Sequence, residues 1–104
     1  MIKAFYGLEG NRYQYLSVKG HADYQQHGRD LVCASVSSIM FGFMNAIDET
    51  GEDVEISDLG NQIIISSRSE SEVIQNYFSL VITQLKTIES SFGEYLKVER
   101  KNNI

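Results

Sequence analysis

Two long stretches with helical apolar spacing interrupt a chain that otherwise alternates like β-strand, all within 104 residues. Val32, Val36, Ile39, Met40, Phe43 and Ile47 recur at the steps that put side chains on one helix face. Val73, Ile74, Tyr77, Phe78, Val81, Leu85, Ile88 and Phe92 do the same further on. Such stripes must be covered, and the strand-period runs before, between and after them supply the surface that covers them. The pattern predicts an α+β fold: a small antiparallel sheet built from two hairpins and a C-terminal strand, with two helices packed on it. A chain of this length has one core, so residues 1–104 are read as a single domain.

The first hairpin is expected from Ile2–Tyr6 and Tyr13–Lys19, joined by turn material at residues 7–12. Alternation puts Tyr13, Tyr15 and Ser17 on one face of the second strand, and Leu16 and Val18 on the other. The first helix is expected over Leu31–Asp48, with Gly42 allowing close packing of another element and Gly51 stopping it. Val54–Ser57 alternates like a half-buried strand, and Ile63, Ile64 and Ile65 suggest a neighbour buried on both faces. Ser69-Glu70-Ser71-Glu72 reads as a capping box that opens the second helix, which Gly93 ends. Tyr95–Arg100 reads as the last strand.

Between the second strand and the first helix lies the stretch with chemistry in it. It holds the one cysteine, Cys33, and both histidines, His21 and His27. Gly20 and Gly28 bracket about ten polar-leaning residues as natural hinges, and a loop this long in so small a domain is more often functional than a plain connector. Asp30 is a good N-cap type, which would put Cys33 at the third helical position. There the helix dipole and unpaired N–H groups favour a thiolate, lowering a cysteine pKa from its free value of about 8.5. The same N–H groups could hold an oxyanion. His21 is then the candidate base and His27 its rival. Asp30 would cap the helix or orient the histidine, and Ser37, one turn beyond Cys33, could reach thiol or substrate. Plain structural readings stand beside these: Cys33 as a small buried hydrophobe, His21 as a loop residue, Asp30 as a cap only, and Ser37 as a solvated helix serine.

Gly20-His21-Ala22 followed by Gly28-Arg29-Asp30-Leu31-Val32-Cys33-Ala34-Ser35-Val36-Ser37 resembles the ribosomal-processing cysteine protease family, known as Prp. The likeness extends over nearly the whole chain. It implies a cysteine endopeptidase with a His–Cys dyad on His21 and Cys33. The implied substrate is the precursor of the large-subunit ribosomal protein numbered twenty-seven, which loses its N-terminal extension. It also implies a homodimer.

The net charge of −5 speaks against a nucleic-acid backbone as partner and suits a basic protein. A single cysteine allows no internal disulfide, which fits a reducing cytoplasmic setting. Met1–Tyr6 turns polar too soon to read as a signal peptide. No run is expected to approach the roughly 20 apolar residues of a membrane span, and no membrane partner is expected. No cofactor or metal is expected, since His21, His27 and Cys33 do not follow zinc-ligand spacing. The rival functions are a non-catalytic ribosome-associated peptide-binding module and a redox-sensing thiol protein.

Overall fold

The computed structural model describes residues 1–20 and 27–102, with residues 27–30 as backbone alone. Seven elements follow one another: β1 (Ile2–Glu9), β2 (Arg12–Lys19), α1 (His27–Thr50), β3 (Glu55–Asp58), β4 (Gln62–Ser66), α2 (Glu72–Phe92) and β5 (Leu96–Arg100). The strands form one sheet in the order β3-β4-β2-β1-β5. The two expected hairpins are present, both antiparallel, and β2 joins them by pairing antiparallel with β4.

The last strand corrects the expectation of a purely antiparallel sheet, because β5 runs parallel to β1. The reason is the length of α2. Its 21 residues span about 31 Å, enough to carry the chain back along the sheet to the end from which β4 set out. The strand that follows must therefore run in the direction of β4, which is also that of β1.

One sheet face is covered. Ile2, Ala4, Leu16, Val18, Ile63, Ile65 and Leu96 are all buried, and the pairing register puts them side by side. Both helices lie over this face and add Val32, Val36, Met40, Phe43, Ile47, Ile74, Phe78, Val81, Ile82 and Leu85. Phe78 is the hub: its ring meets Phe43 edge-on at 5.2 Å and stacks on Tyr13 at 6.1 Å.

Tyr13 should not reach Phe78 if β2 alternates strictly. A bulge explains it. Gly7 pairs with Tyr15 and Leu8 with Tyr13, so Gln14 is an extra residue in β2. Tyr13 is thereby turned to the helix side, while Tyr15 and Ser17 keep the other face. Gln75 of α2 fastens the bulge: its side chain accepts from Tyr13 N at 2.6 Å and donates to Tyr13 O at 3.0 Å.

Several expected details shift. β1 continues through residues 7–9, and the turn is confined to Gly10 and Asn11. Gly42 is exposed with no heavy atom within 4 Å of a Cβ built there, so it does not serve close packing. β3 exists but is exposed throughout, because it is the sheet edge beyond the helices. Ile64 is half-buried, so β4 is covered fully on one face only. Ser71, and not Ser69, caps α2, its Oγ accepting from Ile74 N. Val73, placed in the α2 stripe by its spacing, is 47% exposed. Leu31–Thr50 is long and apolar enough to cross a membrane by length and composition, with a mean hydropathy of 1.5, contrary to expectation. Its apolar stripe is committed to the core just described.

On the sheet face away from the helices, Tyr15 is buried and its hydroxyl donates to Lys101 O. Burial raises its pKa above the ordinary value of 10. The folded chain thus holds a proton that the unfolded chain releases, so this contribution is intact below about pH 10 and is lost as pH rises further. Tyr15→Phe is expected to flatten the alkaline fall in stability, read as a smaller difference in urea midpoint between about pH 9 and pH 11.

Candidate active site

The helix that carries the candidate nucleophile begins earlier than its sequence suggests. Helical backbone starts at His27, so Asp30 lies inside the first turn and does not occupy the cap position. Cys33 becomes the seventh helical residue, and its own N–H lies within the intrahelical ladder. The unpaired N–H groups belong instead to residues 27–30. A helical side chain tilts toward the N-terminus, so that of Cys33 leans back over this first turn. The positive end of the helix therefore acts on the sulfur from about one turn away, more weakly than at a third position.

Cys33 is 4% exposed and belongs to the core cluster. Ser37, one turn on, is half-buried. His21 lies outside the described residues, as does most of the expected 20–29 loop. His27 and Gly28 have joined the helix, which removes Gly28 as a loop hinge, and the side chains of His27 and Asp30 are outside what is described. The structure thus brings Cys33 and Ser37 to one helix edge.

Strand pairing fixes the exit of β2. β2 ends at Lys19, opposite Gln62 of β4, and Asp58 of β3 lies opposite Ile63. Lys19, Gly20 and the β3–β4 turn therefore share one end of the sheet. Gly20 N donates to Asn61 O at 3.1 Å, tying the exit of β2 to that turn. Gly60, at φ +87°, makes the turn possible, and Asp58 Oδ1 accepts from its N–H at 3.0 Å. The sequence marks this segment only as a turn, and nothing local in it signals its role as an anchor for the β2 exit.

Gly20 is required for two reasons. Its φ is +90°, and a Cβ there would lie 2.5 Å from Met1 O. Gly20→Ala is expected to cost about 1–3 kcal/mol, read as a lower urea midpoint with an unchanged slope. An unshifted midpoint would contradict this account of the strand exit.

A small cavity opens beside Ser37 at this same end, between α1, the sheet and the β3–β4 turn. The larger hollow lined by Gln14, Asp53, Ser66 and Arg68 is at the opposite end of the sheet, away from Cys33. Among the described residues no group of His, Cys, Asp or Glu could hold a metal ion.

A sequence model of the family described as cysteine protease Prp matches residues 1–97. The chain belongs to the Prp family of cysteine proteases. The ribosomal processing cysteine protease Prp of Staphylococcus aureus is 34% identical over 86 residues, which is 79% of this chain and 81% of that protein. The Prp of Bacillus subtilis is 31% identical over 87 residues, 76% of this chain and 78% of that protein. A crystal structure of the S. aureus Prp in complex with a substrate peptide superposes with a TM-score of 0.88 at 27% identity, covering 97% of this chain and 100% of that one. A second, with a covalently linked product peptide, gives 0.85 at 28% identity, with the same coverage. The mixed five-stranded sheet with two helices is thus the Prp fold, and the chemistry of the family is peptide-bond hydrolysis through a cysteine.

Proposed function

We propose that this Prp chain removes the N-terminal extension of the large-subunit ribosomal protein numbered twenty-seven, with His21 and Cys33 as its dyad, in support of ribosome assembly. The observation that supports the reading is the family match over residues 1–97, taken with the presence of one cysteine in the chain. His21 takes the proton from the Cys33 thiol. The thiolate attacks the scissile carbonyl, forming the C–S bond, and the oxyanion draws on the N–H groups of residues 27–30. His21 returns the proton to the leaving amine, the C–N bond breaks, and an acyl-enzyme remains. Water deprotonated by His21 then attacks the acyl carbon, the C–S bond breaks to release the acyl fragment as a carboxylic acid, and the proton on His21 returns to the Cys33 sulfur.

Because Cys33 is one turn inside the helix, most of its activation is assigned to the imidazole and less to the helix tip. Because it is 4% exposed, peptide binding must uncover the sulfur before attack. Gly20, His27 and Gly28 flank that opening, Asp30 orients His21, and Ser37 lines the substrate side. A cytoplasmic homodimer is the proposed working form. The half-open groove between α1 and α2, with Leu80 57% exposed beside Gly42 and Ala46, is the surface proposed to pair.

The burial of Cys33 is what a non-catalytic peptide-binding module would also have. Incubation with the ribosomal-protein precursor separates the readings. The protease reading expects a clipped product by mass spectrometry, absent with His21→Ala and Cys33→Ala. Precursor bound but never cut would favour the binding module, and a response to oxidation without hydrolysis would favour the redox sensor.

A further inference from the structure

The sheet face away from the helices carries a positive patch on a chain whose net charge is −5. Strand pairing sets Lys97 opposite Lys3 and Lys3 opposite Lys19, in one row across β5, β1 and β2. Neighbouring strands lie about 4.8 Å apart, and like charges directly opposite one another destabilise a sheet. All three lysines are exposed. Among the described residues the one ion pair is Arg12 to Glu9, so no described carboxylate neutralises them. Phe5, two residues along β1 from Lys3, shares this face. Its half-buried ring has Lys101 Nζ 4.0 Å and Lys19 Nζ 5.8 Å from its centre. Glu99, paired with Phe5, is the one acidic residue in the group. Lys97, on the edge strand, has its Nζ 3.6 Å from where a Cβ on Gly93 would stand, so it belongs to the rim. The compact part of the patch is Phe5 with Lys3, Lys19 and Lys101.

We propose that this face binds single-stranded nucleic acid, with phosphates on the three ammonium groups and a base stacked on Phe5. Charge complementarity and the ring carry the assignment together. Lysines set side by side without a carboxylate cost stability, which a bound polyanion offsets. An acidic peptide would satisfy the charge and have no use for the ring, whereas every base has a π face to lay on it. The ammonium over the ring marks the place. A stacking base takes the position held by Lys101 Nζ, and that exposed side chain moves its charge to the phosphate beside it. The net charge of the whole chain does not forbid such contact. Screening confines a charge's reach to about 10 Å at 0.1 M salt, so a strand lying on this face meets mainly the lysines. The surface is independent of the chemistry at Cys33, which packs in the core on the helix side of the sheet.

The test is fluorescence anisotropy of a labelled oligouridylate of about ten nucleotides, titrated with the full chain. A Kd of roughly 10⁻⁴ M or tighter is expected at about 50 mM salt, with a log–log salt slope near −2, the value for about three phosphate contacts on a single strand. An oligodeoxythymidylate of the same length reports whether the sugar is read. Binding of either strand with that slope supports the surface, and a preference between them names the source of the ligand. Lys3→Glu is expected to weaken binding by about 10-fold or more while keeping or raising the urea midpoint, because it replaces a like-charge contact with Lys19 by an opposite one. Lys101→Ala should flatten the salt slope by about 0.7. Phe5→Leu, which keeps an apolar side chain in place, should weaken binding by about 5-fold or more with the slope unchanged. No binding tighter than about 10⁻³ M at low salt, or undiminished binding by Lys3→Glu, overturns the proposal. So does polyglutamate that binds as tightly as the oligonucleotides and is indifferent to Phe5→Leu, which would assign the face to an acidic protein.

Discussion

Cys33→Ala is expected to lower kcat/KM for the precursor on the order of 10⁴- to 10⁶-fold, the scale lost when a covalent nucleophile is removed. The fold should survive the change. The substitution deletes one heavy atom from a core position that is 4% exposed, a loss comparable to one buried methylene, about 1 kcal/mol. Thermal midpoint and far-UV dichroism should therefore stay near the parent while cleavage disappears. This separation matters because the burial of Cys33 makes a structural role the natural competitor. If Cys33→Ala instead retained activity within about 10-fold, the sulfur would be packing and nothing more. His21→Ala should cost less, about 10²- to 10⁴-fold, and should also abolish the acid limb of the pH–rate profile, which a purely structural histidine would not affect.

The second large effect is on stability. Phe78→Ala is expected to cost about 3–5 kcal/mol, a large part of the 5–15 kcal/mol that typically holds a domain of this size together. Phe78 is fully buried, and its ring joins Phe43 of α1 to Tyr13 of β2. Truncation leaves a hollow between three elements that cannot collapse on it together, since Tyr13 is also held by Gln75. A urea midpoint lowered by less than about 1 kcal/mol equivalent would mean that the Tyr13 and Phe43 rings close the gap. Phe43→Leu, at the edge of the same cluster, should cost clearly less, because it keeps most of the buried volume.

What the sequence made legible follows from what it encodes locally. Helical spacing from Val32 to Ile47 and from Val73 to Phe92 marks both helices, and turn chemistry at Gly51 and Asp58–Asn61 marks the second hairpin. The errors came where tertiary context overrode local preference. Gly28 reads as a hinge, since glycine weakens a helix by about 1 kcal/mol, yet the helix runs through it to His27. The bulge at Gln14 has no local signature, because its cause is Gln75, more than sixty residues away. The direction of β5 depends on where α2 leaves the chain, which periodicity does not state. As for the site, the family was readable from residues 20–37. The burial of Cys33 was one of two readings left open, because its neighbours Val32 and Val36 mark a buried stripe without saying how far that stripe wraps around the helix.

The account depends on a largely buried sulfur becoming the atom that attacks the peptide. The most direct measurement is incubation of the intact chain with a substrate-sequence peptide bearing a chloromethyl ketone at the cut, followed by whole-protein mass and peptide mapping. One adduct per chain is expected, on Cys33, forming far faster than with a small alkylating reagent and in step with loss of cleavage. A chain fully labelled at Cys33 that still cuts the precursor, or an active chain whose Cys33 never takes the label, would contradict it.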